Sequence, residues 1–229
     1  MIEKILSRIK GEKYRLDPDI PLLYLLRYFV VKAISAVYGM MRLRTTNIVF
    51  VHPGATVKGV FKIRTGNNLN IDEGCYIDAM SRNGLVCGKN VNFGRNSTMI
   101  LSGSFHCIGQ GAVIGDNVAF GTHGYYGSGM GVLKVGSDVI FGNYVSVHPE
   151  NHNYNDMSKP IRLQGVNSRG GVIIGNNCWI GAKATILDGT KIGDGCIVAA
   201  GAVVKGTFPS NVIIGGIPAK IIKKRVNEI

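Results

Sequence analysis

Aromatic side chains are scarce in this sequence, 8% of residues against 45% for hydrophobic residues as a whole, so any core must be assembled from aliphatic groups. Acidic residues are also few. Fourteen Asp and Glu stand against 26 Lys and Arg, and the formal charge of +12 suits an anionic partner without saying which kind. Five cysteines, an odd number with no C-x-x-C pair, argue against a disulfide framework or a zinc ribbon. Cys75, Cys178 and Cys196 fall where side chains should point inward, as expected of reduced thiols in a cytoplasmic protein. No Pro- or Ser-rich linker divides the chain, which predicts one main domain. There is no G-x-x-x-x-G-K-[ST], so phosphoryl transfer lacks its usual cradle. The opening MIEKILSRIKGEKYRLDPD carries charge throughout and has no small-residue cleavage site after a short apolar stretch, unlike a secretory signal.

What the chain has in abundance is glycine, 32 residues, and with it a repeat. In VIIGNNCWIGAKATILDGTKIGDGCIVAAGAVVKG an aliphatic residue returns every six positions: Ile174, Ile180, Ile186, Ile192, Val198, Val204. Two places earlier stands a smaller side chain each time: Val172, Cys178, Ala184, Thr190, Cys196, Ala202. The same phase runs through Ile108, Ile114 and Phe120, through Val135, Phe141 and Val147, and more faintly through Ile71 and Ile77 and through Cys87, Phe93 and Met99. A period of six fits neither a helix nor a plain alternating strand. It fits a unit of one short strand and one corner, three units to a triangular coil, with glycine or asparagine supplying corner backbone angles. The predicted fold is all-β, a left-handed parallel β-helix of hexapeptide repeats over 51–229, preceded by a helical, basic leader at 1–50.

The repeat is interrupted twice, by the Gly-rich THGYYGSGMG and by the longer stretch at 148–171, both expected as loops thrown out of the prism. Near the C-terminus FPSNVIIGGIPAKIIKKR leaves the phase as a strand or turn and ends in a basic tail. In the leader, residues 20–44 are apolar enough to span a bilayer, lie on its surface or pack on the protein. As a helix, Leu22, Leu23, Leu26, Phe29, Val30, Ile34 and Val37 form one apolar face flanked by Arg27, Lys32, Arg42 and Arg44. Of the five histidines, His52 and His106 lie at coil edges away from other polar groups. His123 opens the Gly-rich stretch, and His148 and His152 share the long loop. Two histidines raise metal binding, but such a site needs three or four ligands and no Cys or carboxylate recurs at a matching spacing, so no metal is expected.

The loop NHNYNDMSKPIRLQG, the segment IGNNCWIGAKATIL and the ending PSNVIIGGIPAKIIKK resemble the hexapeptide-repeat acyltransferases, in the branch of the galactoside and maltose O-acetyltransferases and the capsule and O-antigen O-acetyltransferases. The resemblance covers about residues 70 to 225. It implies a homotrimer with its active site between neighbouring prisms, and direct transfer from acetyl-CoA to a hydroxyl of a sugar or polysaccharide precursor with a loop histidine as general base. That histidine maps onto His152, with Asn151, Tyr154, Trp179 and His123 on the acceptor side. Ala182 and Ala200 map onto the pantetheine channel, and Lys205, Lys220 and Lys223 onto the nucleotide end. Around Tyr125 the sequence departs from the galactoside enzymes, with no matching acceptor-binding asparagine. A backbone amide near Ala182 is the expected oxyanion donor. The expected partners are further copies of the chain and a glycan acceptor, not nucleic acid. The location is cytoplasmic, with peripheral contact at the inner face of the membrane through residues 20–44 left open. Two other classes also stay open: an N-acetyltransferase acting on an amino-sugar nucleotide, and a non-catalytic β-helix that only binds.

Overall fold

A computed structural model describes residues 15–104 and 106–226, so the leader lies partly outside the described residues. From residue 49 onward the chain winds as a left-handed parallel β-helix with three flat faces. The first face runs from Val49–Val51 to Val212–Gly216, the second from Thr56–Lys58 to Val203–Val204, and the third from Ile63–Thr65 to Thr207–Phe208. Strand pairing gives the six-residue phase its physical meaning. Ile174 lies beside Ile192 on the third face, Ile180 beside Val198 on the first, and Ile186 beside Val204 on the second, so three repeats close one coil. All six side chains are buried, each burial stabilising the prism by about 1.5–3 kcal/mol. In the middle of the prism the inward position is taken by a ring stack, Phe93 on Phe120 at 4.7 Å and Phe120 on Phe141 at 4.8 Å.

Glycine after the aliphatic position serves close stacking rather than unusual backbone angles. A Cβ on Gly181 would lie 2.5 Å from the Ala200 amide nitrogen in the next coil. Left-handed corner conformations are shared between glycine, as at Gly74, Gly195 and Gly201, and asparagine, as at Asn68, Asn90, Asn117 and Asn177. Asn68, Asn90 and Asn117 hydrogen-bond one another from coil to coil, and Asn117 donates onward to Asp138. Cys75, Cys178 and Cys196 point inward as free thiols, and burial pushes Cys75 and Cys178 up to about 11, leaving them protonated and unreactive at neutral pH.

Two readings of the phase need correction. The segment THGYYGSGMG is not a loop: it carries the second-face strand Tyr125–Gly127, and Tyr126 fills the prism interior beside Phe120. Glycine richness there marks a tight corner, since a Cβ on Gly124 would collide with the Tyr126 hydroxyl at 2.3 Å. Ile108 shares the numerical phase but lies half-buried outside any strand, in the connection between Thr98–Ile100 and Gly111–Ile114. That second excursion has no long break in the repeat to announce it.

The connections explain where function can reside. Every passage from the first face to the second is a four-residue corner (52–55, 72–75, 94–97, 121–124, 142–145, 181–184, 199–202). Every connection longer than four residues between faces occurs instead between the second face and the third, at 79–84, 101–110 and 149–171. One edge of the prism is therefore uniform and another is elaborated.

The N-terminal helix Leu22–Leu43 lies against the edge strand Val49–Val51, covering what would be an open sheet edge. Its contact stripe is small: Ser35 and Gly39 are buried, and a Cβ on Gly39 would meet the Val49 carbonyl at 2.6 Å. The stripe turns Phe29 and Lys32 toward the prism, contrary to the arrangement expected from the sequence. Lys32 donates to Asn70 at 2.5 Å, and burial lowers its pKa, while Arg42 donates to the Val57 carbonyl at 2.7 Å. Leu22, Leu23, Leu26, Val30, Ile34 and Val37 are each more than half exposed.

Candidate active site

The loop at 149–171 is an ordered hairpin. Asn151–His152 pairs antiparallel with Val166–Asn167, and a short 3-10 turn, Ile161–Leu163, closes the far end. Gln164 staples the tip: its Nε2 donates to the carbonyls of Asp156 and Lys159, its Oε1 accepts from the Asp156 amide, and its own carbonyl accepts from Asn153 Nδ2. His152 projects from this hairpin into solvent, while Asn151 and Tyr154 line a cavity of about 160 Å³ at its base, together with Asn153, Arg169, Asp188 and Lys205.

His148 occupies a different environment at the end of the second-face strand Ser146–His148. Its ring stacks on Tyr125 at 5.4 Å, its Nε2 lies 2.5 Å from Ser146 Oγ, and burial lowers its pKa so that the neutral imidazole is favoured. It lines a narrower pocket of about 60 Å³ with Ser102, Ser128 and Glu150, whose carboxylate accepts from the Met130 amide.

The remaining sequence-derived positions gather on the uniform edge. His123, Ala182 and Ala200 all occupy first-to-second corners, and Trp179 projects from the adjoining first face between Ile140 and Ile197 of neighbouring strands. His123 takes a left-handed conformation, stacks on Tyr144 at 5.0 Å and approaches Asn96 at 3.1 Å, so it is a built corner residue and not the start of a loop. The Ala182 amide nitrogen lies close against the preceding coil, 2.5 Å from where a Cβ on Gly142 would stand.

Lys220 and Lys223 lie exposed on the strand Ala219–Lys224, which runs antiparallel to Val212–Gly216 instead of trailing as a tail. Arg225, just past this strand, is engaged with the Gly195 carbonyl at 2.6 Å.

The chain thus brings Asn151, His152, Tyr154 and Lys205 together at one edge, and His123, Trp179, Ala182 and Ala200 at another, with the second face between them. The sequence reading passed over Gln164, Ser168 and Asp188. Asp188 is 2% exposed and accepts hydrogen bonds from Asn151 and Ser168, and it carries a faint signal: it is the one charged residue in the run ILDGT.

Comparison with known proteins agrees with this architecture. The family description "bacterial transferase hexapeptide (six repeats)" matches residues 171–206. A lipopolysaccharide biosynthesis O-acetyl transferase of Escherichia coli, WbbJ, is 33% identical over 145 residues, 60% of this chain and 74% of that protein. A galactoside O-acetyltransferase of Lactococcus lactis is 31% identical over 50% of this chain and 56% of its own length. Among solved structures, a variant of AntD, an N-acyltransferase from Bacillus cereus, in complex with dTDP-4-amino-4,6-dideoxyglucose and coenzyme A, superposes with a TM-score of 0.52. It is 18% identical, over 83% of this chain and 90% of that one, and shows the fold alone.

Proposed function

This chain belongs to the hexapeptide-repeat acyltransferases, and from that membership we propose that it moves an acetyl group from acetyl-CoA to a hydroxyl of a sugar or cell-surface polysaccharide precursor. One observation carries the reading: an ordered hairpin breaks the prism and carries an exposed histidine in the same short segment as Asn151 and Tyr154, which line a polar cavity. His152 takes the proton of the acceptor hydroxyl as the oxygen attacks the thioester carbonyl. The coenzyme A thiolate leaves as the ester forms, and the imidazolium returns the proton to it. The acyl donor is a substrate, and the residues present suit it. The small corner side chains of Ala182 and Ala200 leave room for a pantetheine arm, and Lys205, Lys220 and Lys223 offer exposed cations to phosphates.

The separation of the two edges supports an assembly in which one prism contributes the hairpin and its neighbour the uniform edge with Trp179 and Ala182, as in a homotrimer. The exposed apolar helix face supports peripheral contact with the inner face of the membrane, where lipid-linked glycans are presented to a cytoplasmic enzyme. The O-acetyl assignment follows the two named relatives. The AntD likeness keeps an amino-sugar acceptor as the competing outcome.

The test is a pair of substitutions. His152→Ala lowers kcat for acetyl transfer about 10²- to 10⁴-fold, the usual contribution of a general base, with acetyl-CoA affinity and assembly unchanged. His148→Ala costs less than about tenfold. An inactive His148→Ala beside a normally active His152→Ala transfers the role to His148, whose stacked, neutral ring is the one arrangement here that favours it.

A further inference from the structure

We propose that Asp188 is the positioning residue of the catalytic hairpin: its buried carboxylate clips the two arms of the loop together at the root and so sets where His152 stands. The inference rests on the reading of His152 as general base.

Asp188 follows the second-face strand Thr185–Leu187, one coil beyond His148, and Leu187 is the direct neighbour of His148 in the sheet. The loop therefore leaves the prism beside Asp188. Four donors reach its carboxylate. Asn151 Nδ2 at 2.8 Å and the Arg169 amide at 2.6 Å meet Oδ2, while Ser168 Oγ at 2.7 Å and the Gly171 amide at 3.0 Å meet Oδ1. One donor comes from the outgoing arm and three from the returning arm, and the antiparallel pairs Asn151 with Asn167 and His152 with Val166 stand on this clip. Ser168 Oγ in turn accepts from the Gly170 and Gly171 amides, so the returning arm is fixed at consecutive residues.

Asp188 is 2% exposed and the hydrogen bonds it accepts all come from the two arms of the loop, with the one Ser168 hydroxyl proton shared with the Pro149 carbonyl and the Gly171 N–H shared with Ser168 Oγ. Asp188 thus acts through Asn151 and not on the reacting atoms. Nor does the prism itself require a carboxylate at this corner. Sheet register pairs Ile186 with Val204 and Lys191 with Thr207, so the next coil turns the corresponding corner in two fewer residues, through Lys205 and Gly206, and without a carboxylate. The charge is there for the loop. Charge-assisted bonds are roughly twice as strong as neutral ones, and a group held by both arms restrains a hairpin whose remaining contacts are mostly its own.

Asp188→Asn tests this with little change of size, because its NH₂ must face two of the four donors. Two readouts are combined. Trypsin cleavage after Arg162, exposed in the hairpin, reads the order of the loop without any substrate. Steady-state acetyl transfer reads the placement of His152.

The expected result is cleavage faster by about tenfold and kcat lower by about 100-fold, with the acetyl-CoA KM within about twofold. Adding Asn151→Asp to Asp188→Asn restores a donor facing an acceptor at this contact, so part of the kcat and of the protease resistance returns. A purely structural role would not produce that rescue. Wild-type cleavage and kcat in Asp188→Asn, a loss confined to KM, or an exchange that recovers nothing would each overturn the proposal. If the wild-type chain transfers no acetyl group while Asp188→Asn still loosens the hairpin and the exchange tightens it, the clip stands and the reading of the reaction falls.

Discussion

Tyr126 shows how much a single residue can mislead a reading of sequence. It stands in a glycine-rich run that looks like a loop, yet its ring is fully buried and its hydroxyl is the one buried side-chain oxygen or nitrogen without a partner among the described residues. Burial drives its pKa far up, so the phenol stays neutral. An unsatisfied buried hydroxyl is destabilising, and Gly124 is small so that it can fit. Tyr126→Phe is therefore expected to raise the thermal midpoint, by an amount equivalent to about 1 kcal/mol, as read by calorimetry. A fall in the midpoint would mean that the hydroxyl is satisfied in solution. At this scale the sequence revealed side chains whose type alone suggests chemistry, such as His152 and Tyr154. It concealed those whose work depends on what lies one coil away. Asp188 and Asn151 are 37 residues apart in sequence, and only the winding of the prism sets them 2.8 Å from each other.

At the scale of elements, the repeat was legible because each coil imposes the same constraint: an inward aliphatic side chain every six residues, stacked on its equivalent in the next coil. Where Phe93, Phe120 and Phe141 take the inward position, aromatic rings replace aliphatic groups in the same stacked register, and an aliphatic pattern is harder to read. The stretch 101–110 escaped notice for the opposite reason, since Ile108 keeps the count of six by coincidence. The helix Leu22–Leu43 is a third case. Its apolar residues were plain in the sequence, but seating by Ser35 and Gly39 decides which of them face outward. If that outward face meets lipid, the chain pellets with vesicles rich in anionic phospholipid, and Val30→Glu with Ile34→Glu abolishes pelleting without lowering the thermal midpoint, because both positions are exposed. Undiminished pelleting by the double variant would show that the face is not the membrane contact.

For the whole molecule, the decisive feature is that one prism divides the proposed site between two edges. In the proposed homotrimer, His152 and Ala182 belong to different copies of the chain in each complete site. Two inactive variants, His152→Ala and a channel-blocking Ala182→Trp, should regain activity when co-expressed, reaching about one quarter of the wild-type level in random mixed trimers, since each site needs one intact contributor of each kind. Mixed assemblies as inactive as the separate variants would place both residues in one chain's site.

The reaction itself is tested most directly by its product. Purified chain, acetyl-CoA and cell-surface glycan precursors bearing both free hydroxyl and amino groups are incubated together, and the acetylated product is treated with mild alkali, which cleaves esters and leaves amides intact. The proposed O-acetyl transfer predicts an acetyl group that appears only with active chain and is lost on alkaline treatment. An alkali-stable acetyl group on an amino sugar, or the absence of any acetylated product while coenzyme A is bound, would contradict it.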